Sequence, residues 1–172
     1  SDMKISIVGN SAAGKSTLAR SLAQSLGINL FIVDNIYWLS GWQQQAHHVF
    51  AKAHREWLDN NSWIIDGVGY WPEMEQRINE SDFVIFLDVP ISVCKERAQL
   101  RIHEEAVSPN INVPNGCFYS DVIDLQMSVI ENFDLEIKPK LVPLLNTQAP
   151  GKVIVIGDIN ELDSRLLAKL KT

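Results

Sequence analysis

Apolar residues in this chain come either in short unbroken runs or at helical spacing, and the two patterns alternate. The short runs are Lys4 to Val8, Asn29 to Val33, Ser62 to Gly67, Phe83 to Asp88 and Gly151 to Asp158, the last including a turn. Near-continuous apolar runs mark strands buried on both faces, as in a parallel sheet. Between them, Leu18, Leu22 and Leu26 are spaced as one helix face over Ser16 to Leu26, with Gly27 placed to cap it. Val49, Phe50, Ala53, Trp57 and Leu58 predict a helix over Ala46 to Asn60, and Pro72 starts a short one reaching Asn79. Pro90 begins a helix running to about His103. A long one passes through Val122, Leu125, Val129, Ile130 and Phe133 toward Leu145, interrupted near Pro139 and Pro143, and Ile159 to Leu170 closes the chain. Leu39 to Gln45 reads as loop. Glu104 to Cys117, with Pro109, Pro114, Gly116 and three asparagines, reads as an exposed flap.

Strands alternating with helices predict an α/β fold of three layers: a five-stranded parallel sheet with helices on both faces. The reading gives one domain over residues 3–172, with a lid segment at about 104–118. Right-handed crossovers gather the strand ends Gly9, Asp34, Asp66, Asp88 and Gly157 at one edge, where α/β proteins bind ligands.

The loop after the first strand carries chemistry. Gly9, Gly14, Lys15 and Ser16 satisfy G-x-x-x-x-G-K-[ST], in the strand-loop-helix context that a P-loop requires. Gly9 and Gly14 let the N–H groups of Asn10, Ser11, Ala12 and Ala13 turn inward around phosphate, while the following helix, beginning near Ser16 and Thr17, adds its positive end. Lys15 places its charge on the β- and γ-phosphates. The Ser16 hydroxyl is the expected ligand of Mg²⁺, a cation that prefers oxygen.

Composition narrows the picture. The chain has 172 residues, 46% apolar, a length suited to one self-sufficient core. No apolar stretch approaches a membrane span, and the first residues lack a signal-peptide pattern, which points to a cytoplasmic protein without membrane partners. A net charge of −6 and the lack of basic runs exclude the usual footprint of a duplex-DNA binder. Cys94 and Cys117 have no metal or redox spacing and read as buried thiols. His47, His48 and His54 match no zinc pattern and read as polar helix positions.

Asp34 reads either as a site carboxylate or as a turn or N-cap aspartate. Arg97 and Arg101, four apart on one helix face, either clamp a polyphosphate or lie on a solvated surface. Tyr37, Trp38, Trp42, Tyr70 and Trp71 either stack on a ligand or fill the core.

With these motifs the chain resembles the adenylate-kinase-like family of nucleoside and nucleotide kinases. The P-loop, the strand Trp63-Ile64-Ile65-Asp66-Gly67, and Asp88-Val89-Pro90 followed by Arg97 and Arg101 carry the likeness over nearly the whole chain. Within the family, the Leu26-Gly27-Ile28 segment, Asp34-Asn35 with Trp38, and the Trp63 strand are most similar to topology-modulation-like kinases. The resemblance implies an ATP- and Mg²⁺-dependent phosphotransferase acting on a small-molecule acceptor, as a monomer or weak homodimer. Lys15, Arg97 and Arg101 then surround the transferred phosphoryl, and Gly157-Asp158 lies beside the adenine. Ser16 holds Mg²⁺ directly and Asp66 holds it through water, with Asp88 second choice or a helix cap. Asp34 orients or deprotonates the acceptor hydroxyl, and Tyr37, Trp38, Gly67 and Tyr70 bind the acceptor. Adenylate kinases continue Asp-Gly-Phe-Pro-Arg, whereas here Asp66-Gly67-Val68-Gly69-Tyr70 lacks the arginine. Arg55 and Arg77 are the possible substitutes. The rival function is a slow, nucleotide-switched ATPase acting through a partner or DNA.

Overall fold

The computed structural model describes residues 2–111, 113–158 and 164–171. In chain order, β1 (Lys4–Gly9) leads into α1 (Lys15–Leu26), and β2 (Leu30–Ile32) into a single turn, α2 (Asp34–Tyr37). A small hairpin follows, with strands β3 (Trp38–Leu39) and β4 (Gln43–Gln44). Then come α3 (His47–Leu58), β5 (Trp63–Asp66), α4 (Trp71–Glu80), β6 (Phe83–Leu87) and α5 (Ile91–Val107). Finally α6 (Ile123–Asn132) and α7 (Lys138–Gln148), joined by a π-helical turn at Phe133–Ile137, precede β7 (Val153–Ile156) and α8 (Ser164–Lys171).

The five long strands form one parallel sheet in the order β2-β5-β1-β6-β7. β1 is central, so its loop stands between the strand ends that carry Asp66 and Asp88. Ile7 faces Asp66 on one neighbour and Ile85 on the other, and Gly9 faces Leu87, so β6 and the Asp88 that follows it run on beyond the Asp66 end of β5. Both faces of the sheet are covered. Ile5, Ile7, Ile64, Ile85 and Leu87 pack under α1, α5, α6 and α8 through Leu18, Cys94, Ile130 and Leu170. On the other face, Val8, Val84 and Phe86 pack under α4 and α7, and Trp63, Ile65, Phe50 and Leu58 join α3 to β5. Truncating a sealed residue such as Ile7 to alanine costs about 2–5 kcal/mol at this kind of site.

Several expectations are corrected. Leu39 to Gln45 is a two-stranded hairpin rather than a plain loop, closed by a 3₁₀ turn at Ser40–Trp42. α5 continues four residues beyond His103 to Val107, so the flap's irregular part begins at Ser108. Pro139 falls at the start of α7, where no N–H is needed, and Pro143 is carried inside that helix. The buried stripe of α3 is Phe50, His54 and Leu58, while Val49 stays exposed; the i, i+4, i+8 row wins over the broader stripe. His54 is therefore a core residue, stacked on Phe50. Of the closing helix, residues 159–163 lie outside the described residues. No described helix is long and apolar enough to cross a membrane.

Candidate active site

Residues 9–17 wrap the β1 end onto the start of α1. Gly14 takes φ +99°, a left-handed conformation open to glycine, and the next residue begins the helix. Asn10 is buried; its side-chain oxygen accepts from Ser11 N–H at 2.7 Å, and its amide donates to Ile130 carbonyl on α6 at 3.1 Å. Gln126 of α6 donates to Ser11 Oγ at 3.0 Å, so a second element braces the loop. The Lys15 ammonium folds over the loop and donates to the carbonyls of Asn10 at 2.6 Å and Gly9 at 3.2 Å. Burial pushes its pKa down, opposed by the carboxylates of Asp66 and Asp34. Thr17 is exposed and, with Gly14, Ser16, Arg101 and Glu104, lines a cavity of about 340 Å³ under the flap.

Two carboxylates converge on that lysine. Asp66, at the end of β5, accepts from Ser16 Oγ at 2.7 Å. Burial raises its pKa, and Lys15 and the Ser16 bond oppose the rise. Asp34 opens α2 and accepts a hydrogen bond from the Trp38 side chain. Burial, then repulsion from Asp66, pushes its carboxyl up to about 6, against the pull of Lys15 and Arg101. The hydroxyl and carboxylate of Ser16 and Asp66 suit magnesium, which takes one or two protein oxygens and fills its octahedron with phosphate and water. Among the described residues no group of three or more His, Cys, Asp or Glu forms a complete metal cage.

The two α5 arginines separate in role. Arg97 donates to Ala13 carbonyl at 2.6 Å and so holds the loop's far side. Arg101 lies 4.9 Å over the ring of Tyr119, and its charge is felt by Lys15, Asp34 and Asp66. Tyr119, which the sequence did not single out, is buried against Trp42, and its hydroxyl pKa is raised to about 12, chiefly by burial. Its backbone N–H is held by Glu105 at 2.7 Å.

The flap is strapped to the hairpin. Gly41 N–H donates to Gly116 carbonyl at 2.9 Å, Trp42 Nε1 to Phe118 carbonyl at 2.8 Å, and Cys117 Sγ to Leu39 carbonyl at 3.2 Å. Gly116 sits at φ +82°, a backbone conformation that side chains rarely adopt, and a Cβ there would meet Ser40, whose Oγ would have to turn away from 2.0 Å. Cys94 and Cys117 are free, buried thiols.

On the hairpin side, aromatic rings make a continuous row. Tyr70 meets Tyr37 at 5.1 Å, Tyr37 meets Trp38 at 4.8 Å, Trp38 meets Trp42 at 5.6 Å, and Trp42 meets Tyr119 at 5.4 Å. All but Tyr119 keep part of their surface exposed, so the row is a wall rather than a filled core. Neither spare arginine reaches it. Arg55 is on the outer surface, paired with Glu80 and Asp59 at 3.3 Å. Arg77 is fully buried and donates to the carbonyls of Gly67 at 2.5 Å and Val68 at 2.8 Å, pinning the turn after Asp66. Burial drives the Arg77 pKa down to about 9 and that of neighbouring His54 to about 3. Asp88 makes no cap bond to α5; its carboxylate pairs with Lys138 at 2.8 Å. Gly157 and Asp158 follow β7, across β6 from the loop, and are exposed.

Comparison with solved structures establishes the fold. Shikimate kinase from Bacteroides thetaiotaomicron is similar at 16% identity with a TM-score of 0.53, over 98% of this chain and 93% of that one. Shikimate kinase from Acinetobacter baumannii, solved in complex with shikimate, is similar at 18% identity with a TM-score of 0.57, over 99% and 94%. No family model and no curated protein matches the sequence.

Proposed function

We propose that the protein is an ATP-dependent phosphotransferase for a small hydroxyl compound. The observation that carries this reading is Asp34: a carboxyl at the start of α2, bonded by the Trp38 side chain and held near 6 in the field of the P-loop lysine. A general base works best with a pKa near the operating pH, and a structural carboxylate gains nothing from being held there. The fold likeness to shikimate kinases supports the reading.

Residues 9–17 cradle the donor phosphates, and Arg97 keeps Ala13 in place for that cradle. Lys15 exchanges its two carbonyl partners for phosphate oxygens, and Arg101 approaches from the flap side; phosphoryl transfer rests on such positioning and charge neutralisation. Ser16 and Asp66 would hold Mg²⁺, which when bound neutralises phosphate charge. Asp34 accepts the acceptor's proton as its oxygen bonds to the γ-phosphorus and the bond to the β-phosphate oxygen breaks, releasing ADP. Tyr37, Trp38, Gly67 and Tyr70 face the acceptor, and Gly157 and Asp158 border the adenine. The test is ADP release with MgATP and a panel of hydroxyl acceptors. Acceleration by an acceptor, lost in Asp34→Asn, supports the kinase; ATP consumption that no acceptor accelerates overturns it in favour of the switch-like ATPase.

A further inference from the structure

The stretches that carry Asp34, the aromatic row and the strap between hairpin and flap are 29–51, 66–76 and 113–121, and none of them contains a lysine or arginine. They contribute Asp34, Asp66, Glu73, Glu75 and Asp121 instead. The two arginines elsewhere in the chain that might have leaned in are both otherwise engaged. Arg55 is held by Glu80 and Asp59 on the outer surface, and Arg77 is sealed beneath the Gly67–Val68 turn with its guanidinium on backbone carbonyls. Among the described residues, the cations whose charge acts on Asp34 are Lys15 and Arg101. In the kinase reading both are committed to the transferred phosphoryl.

Recognition of a phosphate or carboxylate needs a partner charge, commonly a bidentate arginine, and burying such a group beside Asp34 and Asp66 without one is strongly unfavourable. What the side offers in place of cations is the half-buried middle of the row, Tyr37, Trp38 and Trp42, since His47 stacks on Tyr70 and Arg101 lies over Tyr119; such ring faces attract flat or cationic groups. Trp38 both belongs to that row and donates to Asp34, so a ligand lying on the wall presents its hydroxyl beside the carboxylate.

We infer that the acceptor is a hydroxyl compound with no phosphate or carboxylate, neutral or cationic, bound against the Tyr37–Trp38–Trp42 wall. The inference rests on the kinase reading for the word acceptor, but the ligand class can be read separately. It also separates this chain from its structural neighbours, whose named substrate is a hydroxy acid.

The experiment uses matched pairs that differ in one anionic group: adenosine against AMP, and the methyl ester of shikimate against shikimate, together with simple amino alcohols. Binding is read by tryptophan fluorescence in the presence of a non-hydrolysable ATP analogue and Mg²⁺, and turnover by ADP release. The expected result is that an uncharged or cationic member quenches the fluorescence and accelerates ADP release, with its anionic counterpart at least 100-fold poorer in kcat/KM. Binding of the uncharged member without turnover upholds the ligand class and removes the kinase reading. Tighter binding or faster turnover with an anionic member overturns the inference and leaves the kinase reading standing. Binding of no member of any pair overturns the inference as well.

Discussion

Ser16 Oγ donates to Asp66 Oδ2 at 2.7 Å, joining the start of the first helix to the end of the third strand of the sheet in chain order. In the proposed site Ser16 would bind Mg²⁺ directly and Asp66 would hold it through water. Asp66→Asn keeps the shape but removes the charge. Losing such a supporting ligand costs about 10–100-fold in metal affinity. The apparent Mg²⁺ constant for ADP release should rise by that factor, measured by magnesium titration at saturating ATP. An unchanged titration removes Asp66 from the metal role.

Asp34→Asn separates stability from chemistry. The folded carboxyl is held at about 6 against an ordinary value of 3.8, so the folded state binds this proton more tightly than the unfolded chain. Stability from this group is therefore fully present below about pH 4 and is lost as pH rises through 6. At pH 8 the variant should be more stable than the parent by on the order of 2–3 kcal/mol, the size of a two-unit shift. Urea unfolding at pH 5 and pH 8 tests this, with the gain expected at the higher pH. The same variant should lose acceptor-dependent turnover while keeping ATP affinity, and the parent's rate should fall as pH drops below 6.

Lys15→Ala should fold normally and turn over about 10²–10³-fold more slowly, the range for loss of one preorganised electrostatic donor. Circular dichroism and ADP release are the measurements. Full activity would remove the phosphate role of the loop.

The two spare arginines should answer differently. Arg55→Ala breaks exposed ion pairs and should change stability by under about 1 kcal/mol. Arg77→Met leaves the Gly67 and Val68 carbonyls without their donor and should cost about 2–5 kcal/mol by urea unfolding. Arg55→Ala should also leave the acceptor KM unchanged.

The P-loop, the five strands and the acidic strand ends could be read from residue type and spacing, because each rests on local chemistry. The hairpin could not: its strands are two residues long, below any periodicity, and its turn depends on Gly41 and Trp42 at positive φ. Tyr119 carried a weak signal, as one of the adjacent aromatic pair Phe118-Tyr119 at the flap's end, but its place under Arg101 is a tertiary contact. Gln126 and the carbonyl of Ile130 brace the loop from a segment more than a hundred residues away, and nothing in the sequence marks them. His54 did leave a trace, at the centre of the Phe50–His54–Leu58 row. Arg77 belongs with it: a fully buried cation bonded to carbonyls defies the expectation that arginines stay wet.

In the proposed reaction, the strap between residues 39–42 and 116–118 bears on a competitor of the acceptor, which is water. Any outward swing of the flap pulls on the hairpin that carries Trp38, and with it on the indole that holds Asp34. In the proposed kinase, solvent would reach Asp34 only as its orienting partner is drawn away, and the strap would set wasteful hydrolysis against a competent base. Gly116→Val, which drives a side chain into Ser40, should raise acceptor-free ATP hydrolysis relative to transfer.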